Sequence, residues 1–427
     1  MSDRRSFLKK LSLISAGSIA APALSLFAKP DGLKFDGIEW KDLPPHGDEI
    51  WSWVRMQFSP SPSYIYLNNA GLSPSPKIVR DAWMRMMEMA NEAPSHTLWR
   101  IMDAGRDNIK KRFGALLNCS EEELSVVRNA TEALTLIVSQ LKLQKDDEVV
   151  LCKYDYPRML SVWEQKKLDY HIKLNYVDLD FPENDEQKIV DKYVNLFNKN
   201  TKVVYITHLI NWTGQILPAA KIAAEAKKRG ITVILDPTQT FGQVDLNLKD
   251  IDCDFAGMSA HKWLHGPLGT GILYIKKERL KDIVSYFSPS PRFENSMLKF
   301  DDHGTRNSTA ELALAHTLDF HEYLTLDKKR ERLFYLRNYW FDKVKDHENL
   351  KVYTPLSKNL SASIVNIGFK NCDTQVALNR LYNEDNIIVS NCTVEKVSGI
   401  RISPSIYNNE YELDLLVTKL KKILNEG

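Results

Sequence analysis

Three kinds of residue in this chain stand where chemistry could be done: a lysine before a glycine-rich loop, an aspartate closing a predicted strand, and a helix start rich in small and capping residues. Lys262 lies in Ser259-Ala260-His261-Lys262-Trp263-Leu264-His265-Gly266-Pro267-Leu268-Gly269-Thr270-Gly271, between two predicted strands. A lysine there, followed by glycines that let the backbone approach a ligand, can form a Schiff base with a carbonyl cofactor. Upstream, the run Thr232–Asp236 ends in Asp236-Pro237-Thr238-Gln239. An acid at the carboxyl end of a parallel strand faces the crevice where α/β proteins bind ligands. Beside a pyridine nitrogen, its carboxylate keeps that nitrogen protonated and the ring electron-accepting. Arg128-Asn129-Ala130-Thr131-Glu132 opens an apolar-periodic helix, whose free N–H groups and Thr131 hydroxyl suit a phosphate. Gly304-Thr305-Arg306-Asn307 is a short polar loop before a long helix. Singly, each has a plainer reading: a surface lysine, a turn or N-cap aspartate, a capped helix. Together they point to one cofactor site.

The elements that must position these residues follow from hydrophobic patterning. Apolar runs at Glu148–Lys153, Val203–His208, Thr232–Asp236, Phe255–Met258 and Gly271–Ile275 alternate with helical patterns such as Thr131–Leu141 and Ala219–Arg229. Such alternation predicts a mostly parallel sheet covered by helices. From about Thr309 the chain turns long-helical, then closes with strand-like Ser363–Gly368, Ile387–Ser390 and Gly399–Ile402 and a helix near Tyr411–Leu424, the pattern of a smaller α+β domain. The expected organisation is therefore a leader over 1–28, an N-terminal arm over 29–65, a large domain over 66–308 and a small one over 309–427.

Bulk properties exclude several classes. A length of 427 residues corresponds to about two to three domains. With 43% hydrophobic and 26% charged residues, the chain is neither collagen-like, disordered nor a multi-span membrane protein. Lys+Arg exceed Asp+Glu by only 57 − 55 = 2, so there is no basic excess to attract nucleic acid. Five scattered cysteines, none in CxxC spacing, indicate neither a disulfide framework nor a zinc site, and no metal is expected.

The first 28 residues read as an export signal: a basic start, a mildly apolar stretch rich in Ser, Ala and Gly, and small residues at Ala23 and Ala28 where cleavage could follow. Arg4-Arg5-Ser6-Phe7-Leu8-Lys9 resembles the twin-arginine motif, with Asp3 in place of the usual Ser or Thr. The resemblance implies the twin-arginine export machinery as a partner, a folded and cofactor-loaded passenger, and a periplasmic destination.

From about Tyr66 to the C-terminus, the motifs occur in the order seen in the class V aminotransferase family of pyridoxal phosphate enzymes, which the chain resembles. That family also holds cysteine desulfurases and isopenicillin N epimerase-like and kynureninase-like proteins. The resemblance implies fold type I, α/β, with a large domain built on a mostly parallel sheet between helices and a smaller α+β C-terminal domain. It implies pyridoxal 5'-phosphate as cofactor, held by Lys262 as a Schiff base, with Ser259 and the Ala130-Thr131 turn as phosphate ligands and His261 in the same motif. Asp236 and Gln239 match a D-x-x-Q pair that contacts the pyridine nitrogen and the ring's phenolic oxygen, and Asn211, in Thr207-His208-Leu209-Ile210-Asn211-Trp212-Thr213-Gly214, reaches that oxygen too. Tyr156, in Tyr154-Asp155-Tyr156-Pro157, falls where the family stacks an aromatic residue on the ring. Arg401 matches the arginine that clamps the substrate carboxylate. Gly304-Thr305 resembles the loop that reaches the phosphate from a second subunit, implying a homodimer with shared active sites.

The segment Tyr66-Leu67-Asn68-Asn69-Ala70-Gly71 resembles one that lies over the active site, with Asn69 expected at the substrate, and tilts the resemblance toward the isopenicillin N epimerase-like branch. His96, Trp99 and Arg100 are further candidates for the pocket. Cys392 precedes Arg401 as the nucleophilic cysteine of a desulfurase would, but Asn391 and Thr393 flank it and no neighbouring base or cation activates it. The expected activity is thus an aminotransferase or epimerase acting on an amino acid or amine. A cysteine desulfurase or C–S lyase is the alternative, and a non-catalytic binding protein on the same fold is a third.

Overall fold

The computed structural model describes residues 48–284, 293–302 and 304–426. The expected export signal and the first part of the arm lie outside the described residues. Seven strands form one sheet: β1 (Leu124–Val127), β2 (Glu148–Cys152), β3 (Lys173–Val177), β4 (Thr201–Thr207), β5 (Thr232–Asp236), β6 (Phe255–Ser259) and β7 (Gly271–Ile275). Their order is β1-β7-β6-β5-β4-β2-β3. Only β7 runs against the others. Strands β4 and β5 are rich in β-branched residues, and β4, β5 and β6 are buried along almost their whole length, as a sheet covered on both faces requires.

The longer helices among the described residues are α1 (Asp48–Met56), α2 (Lys77–Glu92), α3 (Asp103–Leu117), α4 (Ala130–Gln140), α5 (Pro157–Tyr170), α6 (Glu186–Val194), α7 (Ala219–Lys227), α8 (Thr309–Leu324), α9 (Leu326–Phe341), α10 (Thr374–Asp385) and α11 (Glu410–Glu426). Helix α4 carries its apolar stripe, Ala133, Leu134 and Ile137, into a core shared with Tyr205, Ile234 and Phe255 of the sheet. Gly257 makes that contact close, because a Cβ there would lie 2.7 Å from the Ala133 Cβ. Four short strands, β8 (Leu350–Val352), β9 (Val365–Phe369), β10 (Ser390–Asn391) and β11 (Ile400–Ile402), form an antiparallel sheet in the order β10-β11-β9-β8. They bury Ile367, Ile400 and Ile402 against Leu336 and Trp340 of α9 and Leu416 and Leu420 of α11.

Several elements differ from expectation. The expected strand Ile387–Ser390 is divided: Ile387–Ile388 pairs in parallel with Ile65–Tyr66, while Ser390–Asn391 joins the small sheet. Strands β1 and β3 were not foreseen; both are edge strands, and Lys173-Leu174-Asn175-Tyr176-Val177 lacks the continuous apolar run of a central one. The second part of the expected arm contains a helix, α1, and packs against the body. Val54 and Phe58, from α1 and just after it, pack with Leu209, Trp263 and Tyr407 directly under the segment that carries Lys262.

Candidate active site

Parallel strands β4, β5 and β6 end at Thr207, Asp236 and Ser259, and these ends open into a cavity of about 600 Å³. The turn after Ser259 holds Lys262 there. Its backbone is fixed at several points: the Ala260 N–H donates to the Thr270 carbonyl (2.9 Å), and the Gly266 N–H to the Ala260 carbonyl (2.8 Å). The Trp263 indole donates to the Gln239 amide oxygen at 2.8 Å. Behind the turn, the His321 ring bonds the Leu264 carbonyl at 2.6 Å, and the buried Lys329 amine donates to the Trp263 carbonyl. The Lys262 amine has no hydrogen-bond or ion-pair partner among the described residues. Burial and the nearby Arg401 lower its pKa to about 8, against the opposing pull of Asp236. Near neutral pH about one amine in ten is therefore unprotonated, against roughly one in a few thousand for an ordinary lysine.

At one end of the cavity lies the start of α4. Asn129 caps it by accepting from the Glu132 N–H at 2.8 Å, and the Ser259 hydroxyl accepts from the Ala130 N–H at 3.0 Å. This leaves the Ser259 hydroxyl hydrogen and the Thr131 amide and hydroxyl for an anion at a helix N-terminus. Of the glycines after Lys262, one has a packing role. Gly271 serves a close approach of protein to protein: a Cβ there would meet the Met258 carbonyl at 2.6 Å and the Asn129 Cα at 2.8 Å. It lets the helix start sit against the strand rather than letting backbone reach a ligand.

Asp236 occupies the middle of the cavity. Its Oδ1 accepts from the Thr238 N–H and its Oδ2 from the Tyr205 hydroxyl, both at 3.0 Å. Asn211 and His261 present buried polar atoms, Oδ1 and Nδ1, that have no hydrogen-bond partner. Burial, and next to it Lys262, push the His261 pKa down to about 4, so its ring is neutral at physiological pH. Gln239 donates through its amide nitrogen to the Ala70 carbonyl at 2.9 Å, leaving one amide hydrogen for another partner. Tyr156 lines the cavity as the N-cap residue of α5 and is 40% exposed.

Arg401 of β11 closes the far end. It is only 6% exposed, yet no carboxylate pairs with it among the described residues. One terminal nitrogen donates to the Asn211 carbonyl at 3.0 Å and the other to Asn68 Oδ1 at 2.9 Å, while Nε has no partner. A buried guanidinium without a counter-ion is costly unless an anion completes it. Cys392 also lines the cavity, and burial raises its pKa despite Arg401.

Of the residues singled out from sequence, the structure brings Lys262, Asp236, Gln239, Asn211, Ser259, His261, Ala130, Thr131, Tyr156 and Arg401 to this one cavity. It does not bring Asn69 there. Asn69 is fully buried, donating to the Ser403 carbonyl at 3.0 Å and accepting from the Tyr407 hydroxyl at 2.9 Å. Its neighbour Asn68 faces the cavity instead, because successive residues of an extended segment point to opposite sides. Thr305 lies in a separate cavity of about 280 Å³ with Trp99, Arg106 and Arg306. His96 and Arg100 line neither cavity, and Trp99 is 60% exposed. Trp212, next to Asn211 in the same segment, also lines the cavity, and its buried indole nitrogen has no hydrogen-bond partner.

Pyridoxal phosphate fits these residues. An unpaired lysine, an acid between strands, an open helix N-terminus and orphaned buried atoms on Asn211, His261 and Arg401 are the donor and acceptor set that an aldehyde, a pyridine nitrogen, a phosphate and a carboxylate would complete.

Comparison with known proteins agrees with the geometry. Residues 65–416 match the model of the family described as aminotransferase class-V. The isopenicillin N epimerase of Streptomyces clavuligerus is 26% identical over 394 residues, covering 88% of this chain and 99% of that one. A cysteine desulfurase of Wigglesworthia glossinidia brevipalpis is 26% identical over 390 residues, covering 84% and 92%. Among solved structures, a C-DES mutant with glycine covalently linked to the pyridoxal phosphate cofactor shares the fold, with a TM-score of 0.77 at 18% identity over 86% of this chain and 98% of that one.

Proposed function

The chain belongs to the aminotransferase class-V family of pyridoxal phosphate enzymes, and from that premise we propose that it performs α-proton chemistry on a free amino acid, the step that transamination and epimerisation share. The observation that carries this is the buried, unneutralised Arg401 in the same cavity as the unpaired Lys262. When bound, pyridoxal phosphate supplies an aldehyde that condenses with amines and a ring that accepts electrons from the substrate's α-carbon.

The protein's part is positioning and proton transfer. Ser259, Thr131 and the N–H groups at the start of α4 would hold the phosphate, and Asp236 would keep the ring nitrogen protonated. Tyr156 would stack on the ring, a contact of about 0.5–1.5 kcal/mol beyond burial. Asn211 and Gln239 would take the phenolic oxygen. Arg401 grips the substrate carboxylate through two parallel N–H donors, which fixes the direction in which the α-hydrogen points. The Lys262 amine, poised near neutrality, removes that hydrogen and returns it.

A cysteine desulfurase or C–S lyase activity is the second reading, and the presence of Cys392 in the cavity wall favours it. Against it stands a thiol whose burial disfavours the thiolate. Incubation with single amino acids in D2O, followed by proton NMR, separates the two. Loss of the α-hydrogen signal in the wild type and its retention with Lys262→Ala supports α-proton chemistry, whereas sulfide release from cysteine with no exchange in any other amino acid refutes it.

We also propose a homodimer in which Thr305 serves the phosphate of a second subunit. Its separation from the Lys262 cavity within one chain, and the exposed Trp99 beside it, support this reading. Export through the twin-arginine route, with a periplasmic destination, rests on Arg4-Arg5-Ser6-Phe7-Leu8-Lys9.

A further inference from the structure

Across β4 from Asp236 lies a second carboxyl group that the chemistry above does not use. Asp155 is 1% exposed. Its Oδ2 accepts from the Cys152 N–H at 2.7 Å, and its own N–H donates to the Cys152 carbonyl at 3.0 Å. These two bonds fix the turn from β2 into α5, whose N-cap residue is Tyr156. Its Oδ1 accepts from the Thr207 hydroxyl at 2.6 Å, and Thr207 is paired in register with Asp236 on the neighbouring strand. One side chain thus links the residue set over the ring face to the residue set at the ring nitrogen.

We propose that Asp155 is a positioning residue of the cofactor site, which clamps the Tyr156 turn to the end of β4, at the residue paired in register with Asp236, and places a second carboxyl near Asp236. The proposal rests on the pyridoxal phosphate site described above and goes one layer beyond it. The titratable groups around Asp155 are Cys152 of β2, Tyr176 of β3, Tyr193 of α6, Tyr205 of β4 and Asp236 of β5. None is a cation. Burial accordingly raises the Asp155 pKa to about 7; the bonds from Thr207 and Cys152 oppose the rise and the charge of Asp236 adds to it. The sign follows directly. Below about pH 7 Asp155 is neutral; above it a second negative charge stands near Asp236, and the ring nitrogen would hold its proton more firmly.

The test uses holoenzyme loaded with pyridoxal phosphate, titrated by absorbance from pH 6 to 9, together with the pyridoxal phosphate dissociation constant from protein fluorescence. Wild type is expected to show an inflection near pH 7 that is absent in Asp155→Asn, whose near-identical shape preserves the acceptor for the Cys152 N–H. Thr207→Val, which removes a bond to the charged form but not the carboxyl itself, should move the inflection to higher pH. At pH 6, Asp155→Asn should bind pyridoxal phosphate within about threefold of wild type, since both side chains are then neutral. A purely structural Asp155 would weaken binding equally at every pH and leave the inflection in place, and that result overturns the proposal. If Asp155→Asn does not fold, an unmoved inflection in Thr207→Val overturns it. A wild type that takes up no pyridoxal phosphate overturns the cofactor site itself, whereas a loaded wild type that titrates identically to Asp155→Asn overturns only the role of Asp155.

Discussion

Replacing Arg401 with methionine removes the proposed carboxylate clamp while keeping much of the side chain's volume. A guanidinium carries five N–H groups. Two are committed, one to the Asn211 carbonyl and one to Asn68 Oδ1, so three remain, among them the unpartnered Nε. That is enough for a two-bond grip on a carboxylate. Removing one partner of a buried charge pair costs about 3–5 kcal/mol, which corresponds to a fall in kcat/KM of about two to three and a half orders of magnitude. The matched control is the substrate's decarboxylated amine, which has no carboxylate to grip and should lose less than about threefold. Initial rates for the amino acid and its amine, with wild type and Arg401→Met, supply all four numbers of the cycle. Equal losses for both compounds, or a loss under threefold for the amino acid, would refute the clamp.

Three other outcomes follow from the same geometry. Condensation of pyridoxal phosphate with the apoprotein needs the neutral Lys262 amine, so its stopped-flow rate should rise about tenfold per pH unit below a midpoint near 8 and level off above it. Ser259→Ala removes both a phosphate donor and the acceptor for the Ala130 N–H, and should weaken pyridoxal phosphate about tenfold in a fluorescence titration while leaving pyridoxal, which has no phosphate, unchanged. Gly271→Ala forces the start of α4 away from the sheet, and thermal unfolding should register a loss of about 1–3 kcal/mol; an unchanged Tm would show that the contact with Asn129 yields freely.

The central strands were legible because burial on both faces writes itself as an uninterrupted apolar run: the predicted Thr232–Asp236 is the observed β5, residue for residue. Edge strands carry no such mark. Strand β3 has polar Lys173 and Asn175, and β1 is four residues long. Helix α1 went unseen inside a Pro- and Trp-rich stretch because its burial depends on Trp263 and Tyr407, which lie far along the chain. The convergence of ten predicted residues on one cavity was readable from motifs that end strands, since strand ends in a parallel sheet share one rim. What motifs cannot give is side-chain direction in an extended segment. Asn68 and Asn69 are identical in sequence terms, and only their pairing beside Ser403 turns one inward to the core and the other toward Arg401. Asp155 was likewise hidden, because its partners Cys152 and Thr207 come from two different strands.

The most direct test loads the purified protein with pyridoxal phosphate, records its absorption, reduces it with borohydride and maps the modified peptide by mass spectrometry. A near-visible band that amino acids shift, and a phosphopyridoxyl group fixed on Lys262 alone, is the predicted result. A protein that stays colourless, or that carries the label on another lysine, would contradict it.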